Sequence, residues 1–217
     1  MGAFVLQWRS VRVVFGVGSL DRLSDEVRRL GAERALVLAT PGQRRIADEA
    51  ATVLRSLAAG VYAQAVMHVP IEIVRAGRES AARLNADSLI AVGGGSTIGL
   101  AKAIALETGL PIVAIPTTYS GSEMTSIYGL TDGGVKKTGR DLRVLPKTVV
   151  YDPALTVSLP PRVSATSGLN AMAHCVEALY TRELHRVRSH FAALLKRPQT
   201  SMPAAMRSKA PGSRAAR

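Results

Sequence analysis

The chain is poor in aromatic side chains, has one cysteine, contains no long apolar run and carries no acid beyond Glu183. Aromatics make up 4% of its 217 residues, so the 47% apolar content comes mainly from aliphatic side chains, with Ala and Val prominent. That is enough apolar mass to exclude wholesale disorder. No stretch of about 18 uncharged apolar residues occurs, so no membrane span is expected. Residues 1–12 lack the charged-then-apolar pattern of a secretory leader. The lone Cys175 excludes an internal disulfide and suits a reducing compartment, so a cytoplasmic location is expected.

The missing acids also explain the charge. The net charge is +12, from 28 basic and 16 acidic residues, and residues 184–217 hold eight of the basic ones. The body is therefore near neutral, and the end is a basic tail expected to be disordered. Such a tail can bind nucleic acid. This one lacks interleaved aromatics, Phe191 apart, and any known reading motif, so nucleic acid is not expected as a partner.

The body alternates β-branched runs with helical spacing. Strands are expected at residues 11–15, 35–38, 60–66, 88–92, 112–115 and 147–151. Helices are expected around Leu20–Leu30, at residues 44–57, 70–84 and 96–108, and from Ser164 or Ser167 through Tyr180. This βαβα rhythm predicts an α/β fold with a mostly parallel sheet covered on both faces. Residues 117–145 read as loops with short strands. Pro160-Pro161 marks a boundary, giving an α/β domain over 1–160, a helix over 161–183 and the tail over 184–217.

No GxGxxG fingerprint is present: counted from Gly93 the last position is Ile98, and from Gly16 it is Asp21. Instead Gly93-Gly94-Gly95-Ser96-Thr97 follows one strand and opens a helix. Glycines let backbone N–H groups approach an anion, and the helix turns its positive end to the same spot. Gly94, Gly95, Ser96 and Thr97 are thus candidates for a pyrophosphate. The next strand ends in Pro116-Thr117-Thr118-Tyr119-Ser120-Gly121-Ser122-Glu123, a hydroxyl-rich loop where parallel sheets bind ligands. Asn170 and His174 lie four apart on the last helix and share a face. They read either as part of a site or as an ordinary helix pair. Asn is a poor ligand for a divalent cation, and no HExxH pattern is present. Cys175 reads as a small core residue rather than a nucleophile.

In type, order and spacing these motifs resemble the iron-containing alcohol dehydrogenase family. They are Gly93-Gly94-Gly95-Ser96 with Lys102, Ile115-Pro116-Thr117-Thr118 with Gly121-Ser122-Glu123, Asp152-Pro153, and Gly168-Leu169-Asn170 through His174 to Ala178. The resemblance covers about residues 7–182 and is strongest to the branch that reduces maleylacetate. It implies an N-terminal dinucleotide-binding domain, a helical C-terminal domain and NADH or NADPH as cofactor. Gly94, Gly95, Ser96 and Thr97 would hold the pyrophosphate. Thr117, Thr118, Ser122 and Tyr128 would border the nicotinamide half, and Lys147 would touch the cofactor. Thr40 stands where many relatives carry an Asp that grips the ribose, which leaves room for a 2′-phosphate.

The metal-dependent relatives use an Asp and three His; here Asn170 takes the Asp position and His174 the first His. Metal-independent hydride transfer is therefore expected, with Asn170 and His174 as catalytic candidates. The implied reaction reduces the double bond of maleylacetate to give 3-oxoadipate, a small dicarboxylate substrate being met by cationic groups. A homodimer is the assembly considered. A metal-dependent alcohol or glycerol dehydrogenase, or a nucleotide-binding module without chemistry, is the alternative. The match stops near Arg182-Glu183. The remainder reads as a frameshifted or truncated end that leaves the helical domain largely missing, or as a genuine basic arm.

Overall fold

The computed structural model describes residues 4–8 and 11–179; the expected basic tail and residues 180–183 of the expected last helix lie outside the described residues. In chain order the elements are β1 (Phe4–Trp8), β2 (Val11–Phe15), α1 (Leu23–Arg29), β3 (Ala35–Leu38), α2 (Arg44–Leu54), β4 (Ala58–Tyr62) and α3 (Ile71–Arg83). Then come β5 (Ser88–Gly93), α4 (Gly95–Thr108), β6 (Ile112–Pro116), β7 (Ile127–Asp132), β8 (Val135–Arg140), β9 (Thr148–Tyr151) and α5 (Pro161–Leu179). The chain divides into two units, residues 1–172 and 173–217. The second is described only through residue 179, as the end of α5.

The main sheet has the order β1-β2-β9-β6-β5-β3-β4. All neighbours are parallel except the edge pair β1–β2. Its central strands are buried on both faces, which is why β3, β5 and β6 read as continuous apolar runs. Alternate residues feed two cores. Val37, Ile90, Val92, Val113 and Ile115 face α1 and α2. Leu36, Leu38, Leu89, Ala91 and Ile112 face α3 and α4. Beside this second core, Val11, Val13, Ala114 and Val149 are covered by Met124 and Leu145.

The expected α/β architecture is therefore present, with local differences that have local causes. The helix expected at 44–57 stops at Leu54, because Arg55 adopts φ 55° and the chain turns into a short 3-10 segment. The stretch around Leu20 is likewise a 3-10 turn at Ser19–Arg22 that leads into α1. The strand expected at 60–66 lies instead at Ala58–Tyr62, and α5 opens at Pro161, at the expected boundary, rather than at Ser164 or Ser167. Residues 127–140 form a two-stranded hairpin, β7–β8.

One buried charge fastens that region to the sheet domain. α4 has no polar face: Thr97 through Ala105 are all buried, Lys102 among them at 0% exposure. The Lys102 ammonium donates to the carbonyls of Ser122 (2.7 Å), Thr125 (2.8 Å) and Ile127 (2.8 Å) and to the Thr125 hydroxyl (3.0 Å). Burial lowers its pKa to about 8, opposed by the nearby Glu123 carboxylate. Lys102→Met would strand three carbonyls, and a loss of about 3 kcal/mol in urea denaturation is expected. Between the folded value near 8 and the unfolded value of 10.5 the unfolded chain holds the extra proton. This group's contribution to stability therefore rises with pH across that window, a slope the Met variant should lack.

Candidate functional site

The direction of the crossovers locates the site. From β3 the chain moves through α2 to the edge strand β4, with α2 on one face of the sheet. From β5 it moves the opposite way through α4 to β6, with α4 on the other face. Right-handed crossovers demand this exchange of faces when direction reverses. β3 and β5 are neighbours, so their carboxyl ends diverge and open a crevice. Thr40 and Gln43 follow β3 on one side, and the glycine loop follows β5 on the other.

Close packing dictates the glycines. Gly93 has φ +150°, and a Cβ there would lie 2.5 Å from Thr97 Oγ1 and 2.6 Å from Gln43 Oε1. At Gly94, the N-cap of α4, a Cβ would lie 2.7 Å from Thr118 Oγ1. Gly95 is exposed and has only ordinary contacts with Ser120. No side chain caps α4 and no acid sits in its first turn. Its leading N–H groups are thus available to an anion. Two buried hydroxyls beside them, Thr97 Oγ1 and Ser120 Oγ, have no hydrogen-bond partner among the described residues.

Gln43 ties the two sides of the crevice: its side-chain amide donates to Thr117 Oγ1, and the Thr40 hydroxyl lies 3.4 Å from Gln43 Oε1. Thr117 is buried, and its N–H donates to the Gly93 carbonyl at 3.2 Å. Thr118 is half-buried and borders a cleft of about 480 Å³ at the carboxyl ends of β2, β6 and β9. Phe15, Pro116, Tyr119, Glu123, Tyr151 and Asp152 also line it. Asp152 accepts from the N–H groups of Leu20 (3.2 Å) and Ala154 (3.1 Å). Tyr151 donates to Glu123 Oε1 at 2.8 Å, and burial together with that carboxylate raises the phenol's pKa. The described lining includes two carboxylates and no Lys, Arg or His.

The expected site residues thus divide. Thr40, Gly94, Gly95, Ser96, Thr97, Thr117 and Thr118 come together around the crevice. Ser122 is half-buried in the next loop, with its carbonyl on Lys102. Tyr128 is not brought to the cleft lining: it lies on β7 over Gly139 of β8. Lys147 is exposed at the amino end of β9, where Arg12 N–H donates to its carbonyl at 3.0 Å. β9 runs parallel to β6, so Lys147 stands at the end of the sheet opposite the crevice. Asn170 and His174 are exposed on α5, and His174 Nδ1 pairs with Glu177 Oε2 at 3.1 Å. Cys175 is exposed rather than in a core. Gln43 was not expected; as a neutral side chain on a short turn it leaves no pattern in the sequence.

Comparison with known proteins agrees with this fold. Residues 10–153 match the family described as iron-containing alcohol dehydrogenase. A maleylacetate reductase of Burkholderia cepacia is 58% identical over 183 residues, 84% of this chain and 52% of that protein. The crystal structure of maleylacetate reductase from Agrobacterium tumefaciens matches with TM-score 0.78 and 50% identity, over 84% of this chain and 52% of that one. That of the enzyme from Rhizobium sp. strain MTP-10005 gives TM-score 0.77 and 51% identity, over 84% and 52%. The chain spans about half the length of the curated relatives it matches. Gly93→Ala should lower stability by about 2 kcal/mol in urea denaturation, because its φ and both close neighbours exclude a Cβ.

Proposed function

The chain belongs to the iron-containing alcohol dehydrogenase family, and from that premise we propose that residues 1–160 bind a reduced nicotinamide dinucleotide used to reduce maleylacetate to 3-oxoadipate. The observation that carries this reading is the continuity of an uncapped helix N-terminus with a neighbouring cleft. Gly94 packs on Thr118, and Thr118 borders the cleft. The pyrophosphate then lies on the N–H groups of Gly95, Ser96 and Thr97, with Thr97 Oγ1 and Ser120 Oγ as further donors. Thr117, held by Gln43, supports the crevice floor.

The nicotinamide ring occupies the cleft beside Thr118, Tyr119 and Tyr151, whose apolar surfaces exclude water from it. When bound, the reduced nicotinamide supplies the hydride. The substrate's carboxylates need cations, and the described lining has none, so they are met outside this cleft. His174 and Asn170 remain proposed substrate-orienting groups on α5, the helix that opens the helical domain on this reading.

Metal independence gains no support from the comparisons, since the matched family takes its name from iron. Among the described residues no group of three or more His, Cys, Asp or Glu side chains could hold a metal ion. The described residues alone therefore do not make an iron site. No helix among them is long and apolar enough to cross a membrane.

Titration of the full 217-residue chain with NADH and NADPH, followed by maleylacetate, tests the reading. Saturable binding of either nucleotide is expected, and maleylacetate-dependent oxidation establishes the complete reaction. Binding without turnover supports a nucleotide-binding module lacking chemistry, while absence of binding overturns the proposal. Thr40 is uncharged at the end of β3, so NADPH should be accepted alongside NADH. Thr40→Asp is expected to cut NADPH affinity about tenfold relative to NADH by repulsion of the 2′-phosphate.

A further inference from the structure

The cleft contains a carboxylate that the reading above leaves unused. Glu123 is 3% exposed and lines the cleft beside Tyr151. Its Oε1 accepts from the Tyr151 hydroxyl at 2.8 Å. Its Oε2 is buried and has no hydrogen-bond partner among the described residues. A buried carboxylate oxygen without a donor is unfavourable, so a ligand that brings one is favoured there. The nearby Lys102 ammonium does not supply that donor, being committed to Ser122, Thr125 and Ile127. A ligand that carries a donor into the cleft can complete it.

Resting on the cofactor reading, we propose that Glu123 binds the nicotinamide carboxamide, its Oε2 accepting one N–H and so fixing which face of the ring is offered to substrate. The chemistry of the two ligands selects this pairing. Maleylacetate in its keto form is a dianion whose oxygens only accept, and Glu123 and Asp152 would repel it. The carboxamide is a neutral primary amide with two N–H donors. Because Tyr151 already occupies Oε1, one oxygen of Glu123 remains for the amide, which restricts the ring to one orientation.

Calorimetric titration of the full chain with NADH and with reduced 3-acetylpyridine adenine dinucleotide tests this. The analogue keeps both riboses and the pyrophosphate but carries a methyl ketone in place of the amide. Wild type should prefer NADH about tenfold, the scale of one hydrogen bond to a charged acceptor. Glu123→Gln should weaken NADH about tenfold and move the analogue less than twofold, erasing the preference. Equal weakening of both would reassign Glu123 to ribose contact or to structure and overturn the proposal, as would unchanged NADH binding. If Glu123→Gln does not fold by circular dichroism, the wild-type preference decides. Equal wild-type affinity for the two nucleotides overturns this proposal alone, while binding of neither overturns the cofactor reading together with it.

Discussion

The buried Lys102 ammonium is the constraint on which the candidate site rests. A charge taken out of water must be met by oriented acceptors, and these acceptors all lie in the segment after β6. Satisfying the charge therefore pulls the carbonyls of residues 122, 125 and 127 onto α4, and Glu123 is carried with them. Glu123 then meets Tyr151 at the end of β9, which joins the loop to the sheet. α4 itself is fixed at its N-terminus by the glycine turn, where no Cβ fits at Gly93 or Gly94. The glycine turn and the neighbouring cleft thus lie on the N-terminal side of one buried helix, and both depend on its position.

The sheet was legible in the sequence because it is parallel and covered on both faces. Continuous apolar strands such as Leu89-Ile90-Ala91-Val92 and amphipathic helices such as α2 reflect that burial. Strand order was not legible, since it depends on which neighbour each crossover finds. The crevice between β3 and β5 follows from order together with handedness, so it emerges only in three dimensions. The errors were of another kind. Arg55 ends α2 through a positive φ that no glycine announces. β1 is an antiparallel edge strand outside the βαβ rhythm.

Around the crevice, the grouping of the glycine and threonine residues was legible because their features are local: a turn, a helix end and hydroxyls at a strand terminus. Lys147 was not. The family resemblance implied a cofactor contact for Lys147, but parallel pairing with β6 puts it at the amino end of β9, away from the crevice. Tyr128 is likewise absent from the described cleft lining, since antiparallel register with Gly139 directs it onto the hairpin. The places of Gln43 and Glu123 beside the crevice and cleft were not legible because they depend on partners far away in sequence, Thr117 and Tyr151.

The charge of the cleft separates two tasks that an active site must combine. Its carboxylates favour a neutral or cationic ring and disfavour a dianion, so the same walls that would receive nicotinamide would reject a dicarboxylate. On the proposed reading, binding of cofactor therefore depends on residues around β5, β6 and β9. Recognition of substrate depends on cations that do not belong to this lining. Loss of a cofactor contact and loss of a substrate contact should then be separable, the first read in nucleotide affinity and the second in turnover alone. A basic group placed in the cleft would not substitute for the absent cations: it would neutralise Glu123 or Asp152 and disturb the network through which Lys102 holds the loop.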